Sequence, residues 1–145
     1  MTQAALKDTT LVLSRSFDAP VEKVFGAWTN PEIARKWMAP GEMTAEVDMD
    51  ARVGGRYRIQ MKEPDGNMHI TAGEYTEVVE NERLTYTWQW ESSDEETLVT
   101  VEFRGSDSDR TEVNITHTRF STAALRDDHE QGWTSCIAKL EALLA

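Results

Sequence analysis

"LTYTWQW", residues 84–90, alternates without a break: Leu84, Tyr86, Trp88 and Trp90 fall on one face, and Thr85, Thr87 and Gln89 on the other. A period of two over such a run predicts a half-buried strand. Four large apolar side chains on one face also demand a large apolar partner to cover them. The segments on either side repeat the pattern. Upstream, "MTAEVDMDA" (43–51) puts Met43, Ala45, Val47, Met49 and Ala51 on one face, and Tyr57, Ile59 and Met61 alternate after a turn at "VGG" (53–55). "EPDGN" (63–67) has the proline–aspartate–glycine order of a tight hairpin. In "MHITAGEYTEVV" the period continues, Gly73 predicts a bulge, and His69, opposite in parity to Met68 and Ile70, is expected to be exposed. Downstream, Val99, Val101 and Phe103 share a face, as do Val113, Ile115 and His117. Between residues 42 and 118 the chain thus reads as six short strands in one antiparallel meander, one face buried and one wet.

The flanks switch period. "TLVLSRSF" (10–17) reads as a first strand. A short helix follows, with Asp18 expected to cap it, Pro20 in its first turn, and Val21, Val24, Phe25 and Trp28 on one side. A second short helix has Asn30 as its cap and Pro31 at its first position, with Ile33 and Trp37 four apart, and ends at Pro40–Gly41. The last segment, from 121 onward, is an amphipathic helix of roughly five or six turns by the 3.6-residue repeat. Leu125, His129, Trp133, Cys136 or Ile137, Leu140 and Leu143 or Leu144 form its stripe; Asp128 and Glu130 fall off it. A one-faced sheet followed by a one-faced helix predicts an α+β fold in which the sheet curls around the helix.

Composition narrows the function. One domain accounts for 145 residues, with residues 1–9 expected to be a flexible N-terminal segment. Acidic residues outnumber basic ones 26 to 15, a formal net charge of −11, which argues against nucleic-acid or membrane-surface partners. No apolar run approaches the ~20 residues that span a bilayer. The start of the chain has neither a basic region nor an apolar core, so no signal peptide is expected, and a single cysteine fits a reducing cytoplasm.

Taken in order, "RSFDAPVEKVFGAWTNPEIARKWMAPG", "DARVGGRYRIQM", "GEYTEVVENERLTYTW", "VTVEF", "TEVNITHTRF" and "HEQGW" resemble the AHSA1-like branch of the START-like (SRPBCC) superfamily, over residues ~10–144. That branch is named after the activator of heat-shock protein 90 ATPase. The resemblance implies a helix-grip fold: a curved antiparallel sheet around a long C-terminal helix, with two short helices closing one end. Two departures stand out. Many relatives carry two adjacent tryptophans where this chain has Trp37 then Met38, which reshapes one wall. The chaperone activator also has an additional N-terminal domain, for which no room is expected here.

Candidate functional residues follow from the inward faces. His129 and Cys136 lie two helical turns apart, ~10 Å along the axis, too far for a nucleophile and its base. Cys136 reads as a small buried apolar residue, and Gly132 as a place for close packing or for a bound molecule. His129 and Trp133, four apart, are within reach of each other. The histidines and the cysteine show no ligand spacing for a metal, and no phosphate-binding loop or nucleophile elbow is present, so neither metal nor cofactor is expected. A cavity between sheet and helix is expected to be lined by Trp28, Trp37 and Met43 from the first half, and Tyr57, Met61, Tyr75, Trp88, Trp90 and Val101 from the strands. His117, His129 and Trp133 complete the set, the two histidines being weak candidates for acid or base work.

The leading expectation is a domain that binds a small hydrophobic or aromatic molecule, as monomer or homodimer. The alternatives are a cyclase- or hydrolase-like enzyme using a cavity histidine, and a co-chaperone-like domain that binds heat-shock protein 90.

Overall fold

A computed structural model of the chain describes residues 9–106 and 109–144. The strands are β1 (Leu11–Phe17), β2 (Thr44–Met49), β3 (Arg56–Lys62), β4 (Met68–Val79), β5 (Arg83–Trp90), β6 (Glu96–Gly105) and β7 (Thr111–Thr118). Helices α1 (Val21–Thr29) and α2 (Pro31–Ala34) follow β1, and α3 (Ala123–Leu144) ends the described chain. All seven strands form one antiparallel sheet in the order β1-β7-β6-β5-β4-β3-β2, which curls around α3 in the helix-grip arrangement. The predicted first strand and six-strand meander are both present, and the first strand closes against the last. The proposed N-terminal segment 1–9 lies almost wholly outside the described residues.

The alternation is what makes the sheet one-sided. Leu84, Val99 and Val101 are fully buried, and Tyr86, Trp88, Phe103, Val113 and Ile115 nearly so, while their neighbours in sequence reach solvent. On α3 the buried residues are Trp133, Cys136, Ile137, Leu140 and Leu144, with Leu143 turned out. Thr122 starts the helix by accepting the Leu125 backbone N–H on its hydroxyl at 3.2 Å.

Two local expectations are corrected. Asp18 does not cap α1: Pro20 occupies the N-cap position with no side-chain bond, and Asp18 pairs with Arg110 at 3.1 Å. Asn30 does cap α2, accepting the Glu32 N–H at 3.0 Å. Gly73 is not the bulge; the register of β4 against β5 slips between Tyr75 and Glu77. Gly73 is small for a different reason. A Cβ there would lie 1.9 Å from the Thr87 carbonyl oxygen. Tyr57, directly opposite Gly73 in the register, crosses to that carbonyl and donates its hydroxyl at 2.5 Å. The missing side chain thus lets three adjacent strands be tied together.

The concave face has two tenants. Near one end, α1 and α2 press Trp28 against Trp37 and Phe103, with ring centroids 4.6 and 5.4 Å apart. The Trp37 indole donates to the Ala27 carbonyl at 3.0 Å and fixes the segment after α2 on α1. The rest of the face belongs to α3. Between α3, the sheet and the segment after α2, the core does not close.

Candidate functional site: an indole-walled cavity

The unfilled space is a cavity of about 260 Å³. Strands β3 and β5 supply its floor through Ile59, Met61, Tyr86, Trp88 and Trp90. The segment after α2 supplies one wall through Trp37, Met38, Pro40 and Met43. It is held on α3 from both sides: the Gly41 N–H donates to Ser135 Oγ at 2.8 Å, and Lys139 Nζ donates to the Ala39 carbonyl. Helix α3 supplies the roof with Asp128, His129, Gly132, Trp133 and Cys136, one face by helical spacing. A Cβ built on Gly132 meets nothing within 4 Å, so this glycine borders open space.

Seven of the twelve residues expected to line a cavity do so: Trp37, Met43, Met61, Trp88, Trp90, His129 and Trp133. The other five are elsewhere. Trp28 belongs to the α1 core, and Val101 is fully buried. Tyr57 and Tyr75 pack with Tyr86 in a cluster of centroids 5.3–5.7 Å apart, and only Tyr86 reaches the cavity. His117 is completely buried behind Trp88 and Trp133.

The two histidines are fully engaged. The Trp133 indole N–H donates to His117 Nδ1 at 3.1 Å, so the ring proton sits on Nε2, which faces Thr97 Oγ1 at 2.7 Å. Thr97 in turn donates to the Trp88 carbonyl at 2.9 Å. Burial, with a smaller contribution from His129, pushes the His117 pKa down to about 3, so the ring is neutral at ordinary pH. At the cavity wall, the Trp90 indole donates to His129 Nε2 at 2.9 Å, and His129 Nδ1 donates to the Leu125 carbonyl at 2.7 Å. His129 and Trp133 therefore do not work as a pair; each reaches a different strand. Neither His117 nor His129 presents a free ring nitrogen to the cavity, so neither is placed to carry a proton there.

Phe120 completes this layer, its ring 4.4 Å from His117 and 4.8 Å from His129. Arg119 before it adopts a left-handed φ of 75°, which turns the chain from β7 and sends Phe120 back under the helix. No periodicity marks Phe120 in the sequence. Thr97 was not singled out, although it shares the parity of Val99 and Val101. His69 is exposed as expected, yet it stands opposite Met61 in the register and therefore on the concave side, at the mouth of the cavity. There it bonds to Glu63 at 3.1 Å. Asp128, expected to point away, also rims the mouth.

Cys136 lines the cavity as a thiol whose pKa burial pushes up to about 12, the opposite of an activated nucleophile. Among the described residues no group of three or more histidine, cysteine or acidic side chains is placed to hold a metal ion. No helix among them is long and apolar enough to cross a membrane.

Comparison with solved structures supports the same architecture. A protein from Chromobacterium violaceum superposes with a TM-score of 0.87 at 27% identity, over 94% of this chain and 96% of that one. One from Nitrosomonas europaea gives 0.80 at 27% identity, over 94% of both chains. The AHSA1 protein of Silicibacter pomeroyi gives 0.83 at 23% identity, over 93% of this chain and 96% of that one, a likeness of fold alone. No curated protein matches the chain. The family model of the "Activator of Hsp90 ATPase homolog 1-like protein" matches residues 18–145, and the chain belongs to that family.

Proposed function

We propose that the protein binds a small aromatic or apolar molecule in the cavity between β3, β5 and α3. The observation that carries this reading is the 260 Å³ of space left among four indoles, with a glycine facing it from the middle of a helix. A void of this size is costly to leave empty. At about 24 cal/mol per Å³ a dry cavity of that volume corresponds to ~6 kcal/mol, an upper bound because the mouth admits water. An apolar occupant restores the missing contacts. A cavity of about 150 Å³ holds benzene, so this one accommodates roughly ten heavy atoms, a two-ring aromatic. At about 0.5 kcal/mol per heavy atom, that gives a Kd of tens to hundreds of micromolar. The ring nitrogens of His117 and His129 are occupied within the protein, which favours binding over hydrolysis or cyclisation by either of them. A reducing cytoplasm suits the lone, buried thiol.

The test is a ¹H–¹⁵N titration with naphthalene-ethanol, read at the five indole N–H resonances. The Trp37, Trp88, Trp90 and Trp133 signals should shift saturably, while Trp28, outside the cavity, stays still. Gly132→Leu should abolish the response with the far-UV spectrum and Tm preserved. Uniform shifts of all five signals, or none at all, would sink the reading.

A further inference from the structure

We propose that the ligand carries a cationic end, such as a protonated amine, which stays at the mouth beside Asp128 while the aromatic body enters the cavity. This rests on the binding reading above and names the class of ligand that the site takes. The first argument concerns donors. An anionic headgroup inside an apolar cavity must be met by N–H or O–H groups. Four indoles line this one, yet three of their N–H groups are spent within the protein: Trp37 on the Ala27 carbonyl, Trp90 on His129 and Trp133 on His117. The fourth, Trp88 Nε1, has no partner but is buried out of reach of a ligand. His129 Nδ1 is spent on Leu125. What remains, the Tyr86 hydroxyl and the buried Cys136 thiol, is too little to hold a carboxylate.

The second argument concerns charge. Among the described residues no lysine or arginine lines the cavity. Lys139 on α3 turns its ammonium to the Ala39 carbonyl, and Arg58 on β3 is held by Glu91, just after β5, at 2.8 Å. Among the described residues, the ionisable groups at the mouth are Asp128 from α3, and His69 from β4 with its partner Glu63. The protein as a whole carries −11, and cations are drawn to such a surface. Indole walls reinforce the preference, since an ammonium near an indole face is stabilised by the ring quadrupole.

Three probes of one shape separate the possibilities: naphthalene-ethylamine, naphthalene-ethanol and naphthalene-acetate, titrated at low ionic strength and again at high salt. A carboxylate about 6 Å from the ligand charge, in water, changes affinity roughly three-fold in each direction, so the amine should bind about ten-fold more tightly than the acetate. Salt should compress that ratio. Asp128→Asn should lower amine affinity about three-fold and leave the alcohol unchanged. Glu112→Gln removes the same charge from the far end of β7 and should do neither. If the acetate binds as well as the amine, or Asp128→Asn and Glu112→Gln act alike, the cationic end is wrong while binding stands. If the alcohol fails to bind, both readings fall.

Discussion

His117 offers a way to measure the buried polar layer directly. Its ring is neutral in the folded protein and is held down to about 3, against 6.5 for an ordinary histidine. The folded-state value is depressed, so the stability involved is fully present above pH 6.5 and is lost as pH falls from 6.5 toward 3. In that window the unfolded chain takes up a proton that the folded one refuses. At pH 5 the unfolded ring is almost wholly protonated and the folded ring is not, which costs about 2 kcal/mol relative to pH 7.5. His117→Gln provides the reference. The amide keeps an N–H for Thr97, cannot titrate, and leaves the Trp133 N–H without its acceptor, a loss of about 1–3 kcal/mol at pH 7.5. Urea unfolding followed by circular dichroism at pH 7.5, 6.5, 5.5 and 5.0 should show the gap between the two proteins shrinking by ~2 kcal/mol as pH falls. The carboxylates are common to both proteins and cancel in the difference. Two parallel curves, within about 0.5 kcal/mol at every pH, would refute the neutral, fully bonded ring.

Other consequences are equally direct. Gly132→Ala, in a helix interior with open space at its Cβ, should raise stability by about 0.5–1 kcal/mol in urea melts. Gly73→Ala forces a methyl onto the Thr87 carbonyl and displaces the Tyr57 hydroxyl; a loss of more than ~3 kcal/mol is expected, seen as a collapsed Tm. Asn30→Ala removes the α2 cap and should cost ~1 kcal/mol by the same measurement. Cys136, its pKa raised to about 12 by burial, should resist a disulfide-exchange reagent at pH 8 and react only as fast as the protein opens, with denaturant accelerating labelling.

Most of the fold was legible because period two and period 3.6 are dictated by backbone geometry. "LTYTWQW" and the strands around it could bury only one face, and the C-terminal stripe was the one element long enough to cover it. The site was only half legible, and the reason is physical. Parity says that a side chain points inward, not which tenant of the concave face it meets. Trp28 and Val101 point inward but lie under other cover; Tyr57 and Tyr75 are screened by their own cluster, and Trp88 and Trp90 border space. His69 is exposed as expected, but its place on the concave side was not legible. Its neighbours Met68 and Ile70 are apolar but sit on the outer face near a strand end, so hydrophobicity misassigned the side. Gly73 was read as a bulge because a glycine in a strand has several uses, and only the position of the Thr87 carbonyl decides among them.

The place of β1 in the sheet has a consequence for how the chain reaches this state. Leu11 lies against His117, and the whole of β1 is registered on β7, the last strand to be made. Every other neighbouring pair in the sheet joins strands consecutive in sequence. On a ribosome elongating at about 5–20 residues per second, the first strand waits roughly 5–20 s for its partner. Until then α1 and α2 have only part of the surface they finally bury against. The hairpins from β2 to β7 can zip in the order of synthesis, while the first strand must be kept from pairing with a neighbouring nascent chain. The polar run of serine, arginine and serine at positions 14–16 makes this strand a poorer template for such pairing than an all-apolar one.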